Sequence, residues 1–410
     1  MWQLLWLLLP VAAASGWMAA RRTCRSESGQ ERGAVFSADY IKGLNYLLNE
    51  QSDRALEVFL EMVNVDPETV ETHLILGSLF RRRGEVDRAI RIHQHLVDHH
   101  RLVPAQRANA LLELGRDYMK AGVLDKAEQL FTELIDLGYL QAEAYHWLRG
   151  IYERERDWAQ AIWASERLCE FSSEPQNQRI AHYHCELGEA ARARGDRQEA
   201  AHRARKALSF DHDCTRASIL LGDLAREEGQ PRLAIEHYER VLRQDAAFIP
   251  LILTRAGESF QELRDTDGHE AFLRTVRQHD GSVCSAVALA RFLNERDRRP
   301  PLEELLQEEI QGERLGLGLM LEYLRIKLGR GEAGEVDVTG VAIRALERHL
   351  EERPLYGCVR CGFQSRSHFW HCPGCHGWST VRPLDRLPEP RPETSLTPPG
   401  EPGPTHATHP

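Results

Sequence analysis

Six alanines each stand twelve positions after a residue that is glycine in five cases and arginine in one, and this internal repeat constrains the fold more than any other feature. The pairs are Gly43/Ala55, Gly77/Ala89, Gly115/Ala127, Arg149/Ala161, Gly188/Ala200 and Gly222/Ala234. Successive units start 34, 38, 34, 39 and 34 residues apart. A period of this length is typical of stacked supersecondary units, none of which can bury its apolar face alone.

Each unit has the pattern of two helices joined by a turn. Small residues allow close helix approach, and large residues three positions after the glycine position fill the neighbouring space in four units (Tyr46, Phe80, Tyr118 and Tyr152). Glycines mark the turn in four units (Gly84, Gly122, Gly195 and Gly229). The pattern resembles the tetratricopeptide repeat and predicts an all-α superhelical solenoid over residues 36–276, including a weaker seventh unit from residue 249. Further helical patterning predicts a helical cap over residues 277–353.

A stack of this kind holds a peptide or another protein in its concave face, which in this repeat family is lined mainly by the first helix of each unit. The register places a set of charged residues there: Arg81, Arg82, Arg116, Lys120, Arg154, Arg192, Arg226, Glu143, Glu153, Glu189 and Asp223. One hypothesis is a groove for an acidic or C-terminal peptide segment. The alternative, favoured for any single residue, is a solvated helix face. Motifs typical of enzymes are missing, so a non-enzyme is predicted.

The N-terminal residues 1–20 contain no charged side chain, and Arg21, Arg22 and Arg25 follow at once. Twenty helical residues span roughly 30 Å, the thickness of the hydrocarbon core of a bilayer. By the positive-inside rule the N-terminus lies outside and the body is cytoplasmic, with residues 21–35 as a juxtamembrane linker. A cleaved signal peptide is the alternative, but its positive charge would precede the apolar segment.

Four of the nine cysteines form two CxxC pairs ten residues apart, Cys358/Cys361 and Cys372/Cys375. Two such turns direct four thiolates at one ion, which predicts a tetracysteine metal site within a small domain of residues 354–381. Zinc in a structural role is favoured over iron. Four aromatic residues are expected to form the apolar shell of the site: Tyr356, Phe363, Trp370 and Trp378. A pair of redox-active dithiols is the alternative, but it lacks the expected βαβ context.

Two further features limit the function. The net charge of -10 argues against a dedicated nucleic-acid binder, because no global basic field is present. Residues 382–410 are rich in Pro, Glu, Thr and Gly, a composition that predicts a disordered tail.

The order of charge-free anchor, tetratricopeptide units and tetracysteine knuckle resembles the lipopolysaccharide assembly protein B family of Gram-negative bacteria. The resemblance implies a non-catalytic inner-membrane adaptor that promotes degradation of the lipid A-committing deacetylase by an FtsH-type membrane protease. It also implies contact with lipopolysaccharide transport proteins. The four cysteines match the family's metal ligands, and the knuckle is expected to dock on the last helices and to shape or close one end of the groove.

Two other functions stay open at this point. The residues around the cysteines, Cys361-Gly362-Phe363 and Cys372-Pro373-Gly374-Cys375, resemble the knuckles of rubredoxin, which allows an iron-based electron carrier. True rubredoxins have a much longer stretch between their two pairs, so this segment is closer to a minimal zinc ribbon. The remaining alternative is a generic membrane-tethered scaffold or chaperone partner with an unrelated client.

Overall fold

A computed structural model describes residues 42–43, 45–46, 54–55, 57–58, 67–98, 102–173, 175–279, 282–311, 316–329 and 338–384. The predicted anchor (1–20), the linker (21–35) and residues 385–410 of the predicted tail lie outside the described residues. Among the helices that the structure describes, none combines the length and apolar character needed to cross a membrane.

The described chain is mostly helical and ends in a small sheet. Its α-helices are α1 (Pro67–Arg82), α2 (Val86–Val97), α3 (Pro104–Ala121), α4 (Leu124–Asp136), α5 (Gln141–Glu155), α6 (Trp158–Phe171), α7 (Asn177–Ala193), α8 (Arg197–Phe210), α9 (Thr215–Glu227), α10 (Pro231–Gln244), α11 (Leu253–Leu263), α12 (Thr266–His279), α13 (Val283–Glu295), α14 (Arg299–Gln311), α15 (Leu317–Gly329) and α16 (Val338–Glu352). A 3-10 helix, Ala246–Leu251, precedes α11. The chain divides into two compact units, Met1–Ile151 and Tyr152–Pro410.

In the first unit, α1 pairs with α2 and α3 with α4, and the repeated glycine lies where the two helices of a hairpin meet. A Cβ atom at Gly77 would lie 2.4 Å from the ring of His93, and one at Gly115 would lie 2.5 Å from the ring of Phe131. His93 and Phe131 are both fully buried. The glycine is therefore required because a ring from the second helix occupies the space of its side chain.

The second unit repeats this arrangement in α7 with α8 and in α9 with α10. A Cβ atom at Gly222 would lie 2.4 Å from the ring of Tyr238, which occupies the same register position as Phe131 in the first unit. At Gly188 no ring from α8 fills this space: a Cβ atom there would lie 3.0 Å from Leu220 of α9 and 3.3 Å from the backbone oxygen of Ala200 in α8. The mostly helical, tetratricopeptide-like architecture predicted from the repeat is confirmed.

The turns between paired helices require a left-handed backbone. The four predicted turn glycines, Gly84, Gly122, Gly195 and Gly229, all have φ between 71° and 83°. Arg156 and Arg264 lie at the equivalent turns after α5 and α11, with φ of 59° and 56°. In an L-residue this conformation costs roughly 1–2 kcal/mol, so these two hairpins close against an unfavourable backbone term.

A three-stranded antiparallel sheet follows α16, formed by β1 (Tyr356–Cys358), β2 (Gln364–Ser365) and β3 (Val381–Pro383) in the order β2-β1-β3. Cys358 is opposite Val381, and Gly357 is opposite both Gln364 and Arg382. We call residues 356–383 the ribbon. The predicted start of the tail at 382 falls inside β3, because the third strand continues to Pro383.

The Arg156 turn generates a stability prediction. We expect Arg156→Gly to stabilise the protein by about 0.5–1 kcal/mol, because glycine removes the left-handed strain but adds entropy to the unfolded chain. Arg156 is exposed, so little packing is lost. Chemical denaturation followed by circular dichroism measures the change.

The matched control is Gly195→Ala, at the equivalent turn. A Cβ atom there would meet nothing within 4 Å, so the substitution tests backbone conformation alone and should destabilise the protein by about 1 kcal/mol. Changes in the free energy of unfolding that have the same sign in the two variants would contradict this account of the turns.

Candidate metal centre and its docking surface

The ribbon contains two turns of matching geometry, one for each CxxC pair. In the first, the Cys358 amide donates to Phe363 O and the Cys358 carbonyl accepts from Gly362 N. In the second, Cys372 makes the same two hydrogen bonds, donating to Gly377 O and accepting from His376 N. Each turn thus closes around its first cysteine, which directs both thiols of the pair to the same side.

The four sulfurs converge on one point. Cys358 Sγ lies 3.6 Å from Cys375 Sγ, and Cys361 Sγ lies 3.7 Å from Cys372 Sγ. All four ligand atoms lie within 4.8 Å of one another. Sulfurs bound at about 2.3 Å to one tetrahedral ion stand about 3.8 Å apart, so the spacing suits a site with four thiolate ligands.

The surroundings of the sulfurs also suit a metal ion. A Cβ atom at Gly374 would lie 3.3 Å from Cys361 Sγ, so a side chain there would crowd the cluster. The Thr380 hydroxyl and the Arg360 amide each lie 3.4 Å from Cys358 Sγ. Burial alone would raise the pKa of Cys358, but the hydrogen bond to Thr380 and bonds from backbone amides lower it to about 6.

These observations make the cluster a metal-binding site of the zinc-ribbon type. Burial raises the pKa of Cys372, so the group of thiols resists full ionisation unless a cation compensates the charge. A divalent ion held by the four cysteines would supply that compensation and would couple folding of the short ribbon to metal binding.

One face of the ribbon packs on the helices of the second unit through Trp378, which is 7% exposed. The indole stacks on His182 of α7 with ring centroids 4.9 Å apart, and it meets Trp158 of α6 and Tyr183 of α7 edge to face. Its Nε1–H points to Glu153 Oε1 at 3.4 Å. Burial holds the pKa of His182 well below its usual value, so a neutral ring stacks on the indole.

Polar contacts surround this aromatic centre. The guanidinium of Arg216 lies 6.0 Å from the ring centroids of both Trp370 and Trp378. Ser379 Oγ lies 2.9 Å from His182 Nε2, and Arg382 is paired with Asp245 at 3.1 Å. The ribbon is therefore fixed by one large stacked ring and by charged groups around it.

This packing differs from the sequence-based expectation in two ways. Tyr356 and Phe363 do pack against the cysteines, but Trp370 packs against the core of the helices, and Trp378 against His182. Nor does the ribbon dock only on the last helices, since Trp378 contacts α6 and α7. Aromatic residues near a metal motif suggested a local shell, and the sequence has no feature that marks which of them face outward.

Two predicted groove residues of the first unit, Arg81 and Arg116, are paired with acidic side chains outside the predicted set. Arg81 of α1 contacts Glu113 and Asp117 of α3 at 2.5 and 2.7 Å. Glu113 also pairs with Arg116 at 2.6 Å. Arg82 and Lys120 of this unit are exposed, as is Arg154 of the second unit. The Arg81 pairs join α1 to α3, a role that requires no client, whereas the Arg116–Glu113 pair lies within α3.

The same holds in the second unit. Arg192 of α7 contacts Asp223 and Glu227 of α9 at 3.3 and 2.5 Å, and Arg226 of α9 pairs with Glu258 of α11. Two other acidic candidates behave likewise: Glu189 pairs with Arg216, and Glu153 with Arg179. Alternating charge on successive first helices thus forms a ladder between hairpins.

A cavity of about 780 Å³ lies between the helices and the ribbon, within the second unit. Its helical wall includes Leu253 of α11 and Val287 of α13, and its ribbon wall includes Tyr356 and Pro383. A neighbouring cavity of about 400 Å³ shares Ala288 with it. These apolar walls form a surface suited to an extended apolar segment.

Comparison with protein families agrees with the geometry. A model described as "Rubredoxin metal binding domain" matches residues 356–383. Models described as "Tetratricopeptide repeat" match residues 72–104, 112–171 and 185–247.

Two curated relatives align with nearly the whole chain. "Lipopolysaccharide assembly protein B" of Escherichia coli K12 is 35% identical over 388 residues, 94% of this chain and 99% of the relative. The protein of that name from Haemophilus influenzae is 32% identical over 391 residues, 93% of this chain and 98% of the relative. Among solved structures, a MamA protein reaches a TM-score of 0.32 at 22% identity, covering 45% of this chain and 95% of its own.

The metal centre generates the next prediction. We expect Cys372→Ser to lose the metal and unfold the ribbon, because a hydroxyl is a poor replacement for a buried thiolate ligand. The helical signal should persist, since the hairpins have their own core. Metal content by elemental analysis and helicity by circular dichroism measure both effects, with Cys169→Ser at an exposed cysteine of α6 as control. Stoichiometric metal in Cys372→Ser would refute the ligand assignment.

A second prediction concerns docking. Trp378→Ala should weaken ribbon packing by about 3 kcal/mol, the usual cost of truncating a buried tryptophan. Hydrogen exchange of the ribbon amides should increase while metal is retained. Phe369→Ala serves as control because Phe369 is 37% exposed, and we expect a much smaller effect there. Equal exchange rates in the two variants would contradict the assigned role of Trp378.

Proposed function

Because the chain belongs to the lipopolysaccharide assembly protein B family, we propose that it is a non-catalytic adaptor that regulates lipopolysaccharide biosynthesis. In this proposal it promotes proteolysis of the lipid A-committing deacetylase by an FtsH-type membrane protease. The observation that carries the proposal is the near full-length relationship to proteins named for lipopolysaccharide assembly. The combination of helical repeats and a tetracysteine ribbon on one chain supports it.

The client would bind where helices and ribbon share a wall. In the first helices described above, many charged residues already hold neighbouring hairpins together, whereas the cavity beside the ribbon has apolar walls. Leu253, Val287 and Tyr356 line it, as does Arg291, which is paired with Glu322. An extended segment of the deacetylase with apolar side chains would fit this surface.

The membrane would supply the encounter with the protease. A helix over residues 1–20, with its N-terminus periplasmic, would hold the body on the cytoplasmic face of the inner membrane. Confinement to one membrane raises the effective concentration of adaptor and protease without a large interface between them. Lipopolysaccharide transport proteins at the same membrane are proposed as further partners.

We propose zinc as the native ion, in a structural role. The four thiolates accept either zinc or iron, and Thr380 with the backbone amides would stabilise either. The rival function, a rubredoxin-type electron carrier, requires iron. Purified protein should be colourless with stoichiometric zinc, whereas a red colour lost on reduction would favour the carrier.

The cavity provides a test of the adaptor function. Ala288→Trp should fill the space shared by the two cavities and reduce capture of the deacetylase at least tenfold in membrane crosslinking. In cells that depend on this variant, deacetylase abundance should rise because its degradation slows. Immunoblotting measures the abundance of the deacetylase, and circular dichroism of the purified variant checks that the variant is folded.

The matched control is Leu328→Trp, at a 47% exposed position of α15. It adds the same side chain without entering the cavity and should leave deacetylase abundance unchanged. If depletion of the whole protein also left that abundance unchanged, the chain would be a scaffold for another client.

A further inference from the structure

Two cysteines outside the metal centre lie side by side in the core of the second unit. Cys185 lies in the middle of α7, and Cys214 is the residue that caps the N-terminus of α9. Their sulfurs are 3.8 Å apart. Both residues are buried, with exposed fractions of 0% and 3%. The sulfurs are therefore in contact, and a bond between them needs a shortening to about 2.0 Å.

The environment distinguishes the two thiols. Cys214 stands at a helix N-terminus, where the helix dipole favours a thiolate. The hydrogen bond with Cys185 lowers the pKa of Cys214, and the guanidinium of Arg216 acts in the same direction. Burial raises the pKa of Cys185 well above its usual value. One sulfur is thus suited to attack as a thiolate, while its neighbour keeps its proton.

We propose that Cys185 and Cys214 form an oxidation site, where a hydroperoxide converts the contacting thiols into a disulfide. Neither cysteine belongs to the metal centre. In a reducing compartment such a disulfide is transient, which suits a response to oxidants better than permanent stabilisation.

The chemistry requires only hydrogen peroxide as the oxidant. The Cys214 thiolate attacks one peroxide oxygen, the O–O bond breaks, and the leaving hydroxide takes a proton to give water and a sulfenic acid. The Cys185 sulfur then displaces the sulfenic hydroxyl. The S–O bond breaks, the S–S bond forms, and the Cys185 proton leaves with the hydroxide as a second water. Two thiols are oxidised, and one peroxide is reduced to two waters.

The bond would act on the ribbon through Arg216, which follows Cys214 by two residues. Arg216 is bound to Glu189 at 2.8 Å and lies over Trp370 and Trp378 at 6.0 Å. Drawing the start of α9 towards α7 moves the backbone that carries this guanidinium. Oxidation should therefore alter the environment of the ribbon tryptophans.

The test uses the full-length, metal-loaded protein treated with hydrogen peroxide and quenched with an alkylating reagent. Cleavage after Lys and Arg releases residues 180–192 and 207–216 as separate peptides, each with one cysteine. We expect these peptides to be joined, with the loss of two hydrogen atoms, and to separate on addition of dithiothreitol. The joined pair should form before metal is released, and tryptophan fluorescence should shift with it.

Cys185→Ala and Cys214→Ala should each abolish the joined peptides and the fluorescence shift, whereas Cys169→Ser should retain both. The mass spectrum of the peroxide-treated wild-type protein decides whether the two cysteines are joined, even if a variant folds poorly. If the two peptides were instead alkylated separately after peroxide treatment, the two thiols would only pack against each other, and the proposal would be overturned. Pairing with other cysteines, or metal release before residues 185 and 214 are joined, would overturn it as well.

Discussion

The packing of Trp378 on the helices joins the two kinds of structure in this chain. A ribbon of this size has too little core to fold without its ion, and it has no fixed relation to the helices without a large buried side chain between them. The indole supplies that contact, stacking on His182 and reaching Glu153 with its N–H. Arg216 and Arg382 add charge contacts around it. The shared cavity wall depends on this docking of the ribbon on the helices.

The repeat and the metal ligands could be predicted from sequence because both are periodic or local. A glycine followed at a fixed spacing by a ring, as in Gly115 and Phe131, recurs along the chain. The contact between the two at the helix crossing explains why the register can be recognised in the sequence. The cysteine pairs are local turns whose geometry follows from a few residues. Neither prediction required knowledge of distant contacts.

The docking surface could not be predicted, because it brings together residues far apart in sequence. Trp378 and His182 are nearly two hundred positions apart, and nothing near either residue marks the partnership. The charged groove residues show a related difficulty. The sequence alone does not distinguish an Arg192 that is free to bind a client from one that, as here, contacts Asp223 and Glu227 of a neighbouring hairpin.

The shared wall of the cavity has a thermodynamic consequence. Tyr356 and Pro383 line the cavity only while the ribbon is folded, and the ribbon folds with its ion. If a partner occupies that space, its binding free energy and that of the ion are linked, and each tightens the other by an equal factor. In a cell short of the ion the helical array would stay folded but bind the partner more weakly, so the supply of metal would set how long the partner stays bound.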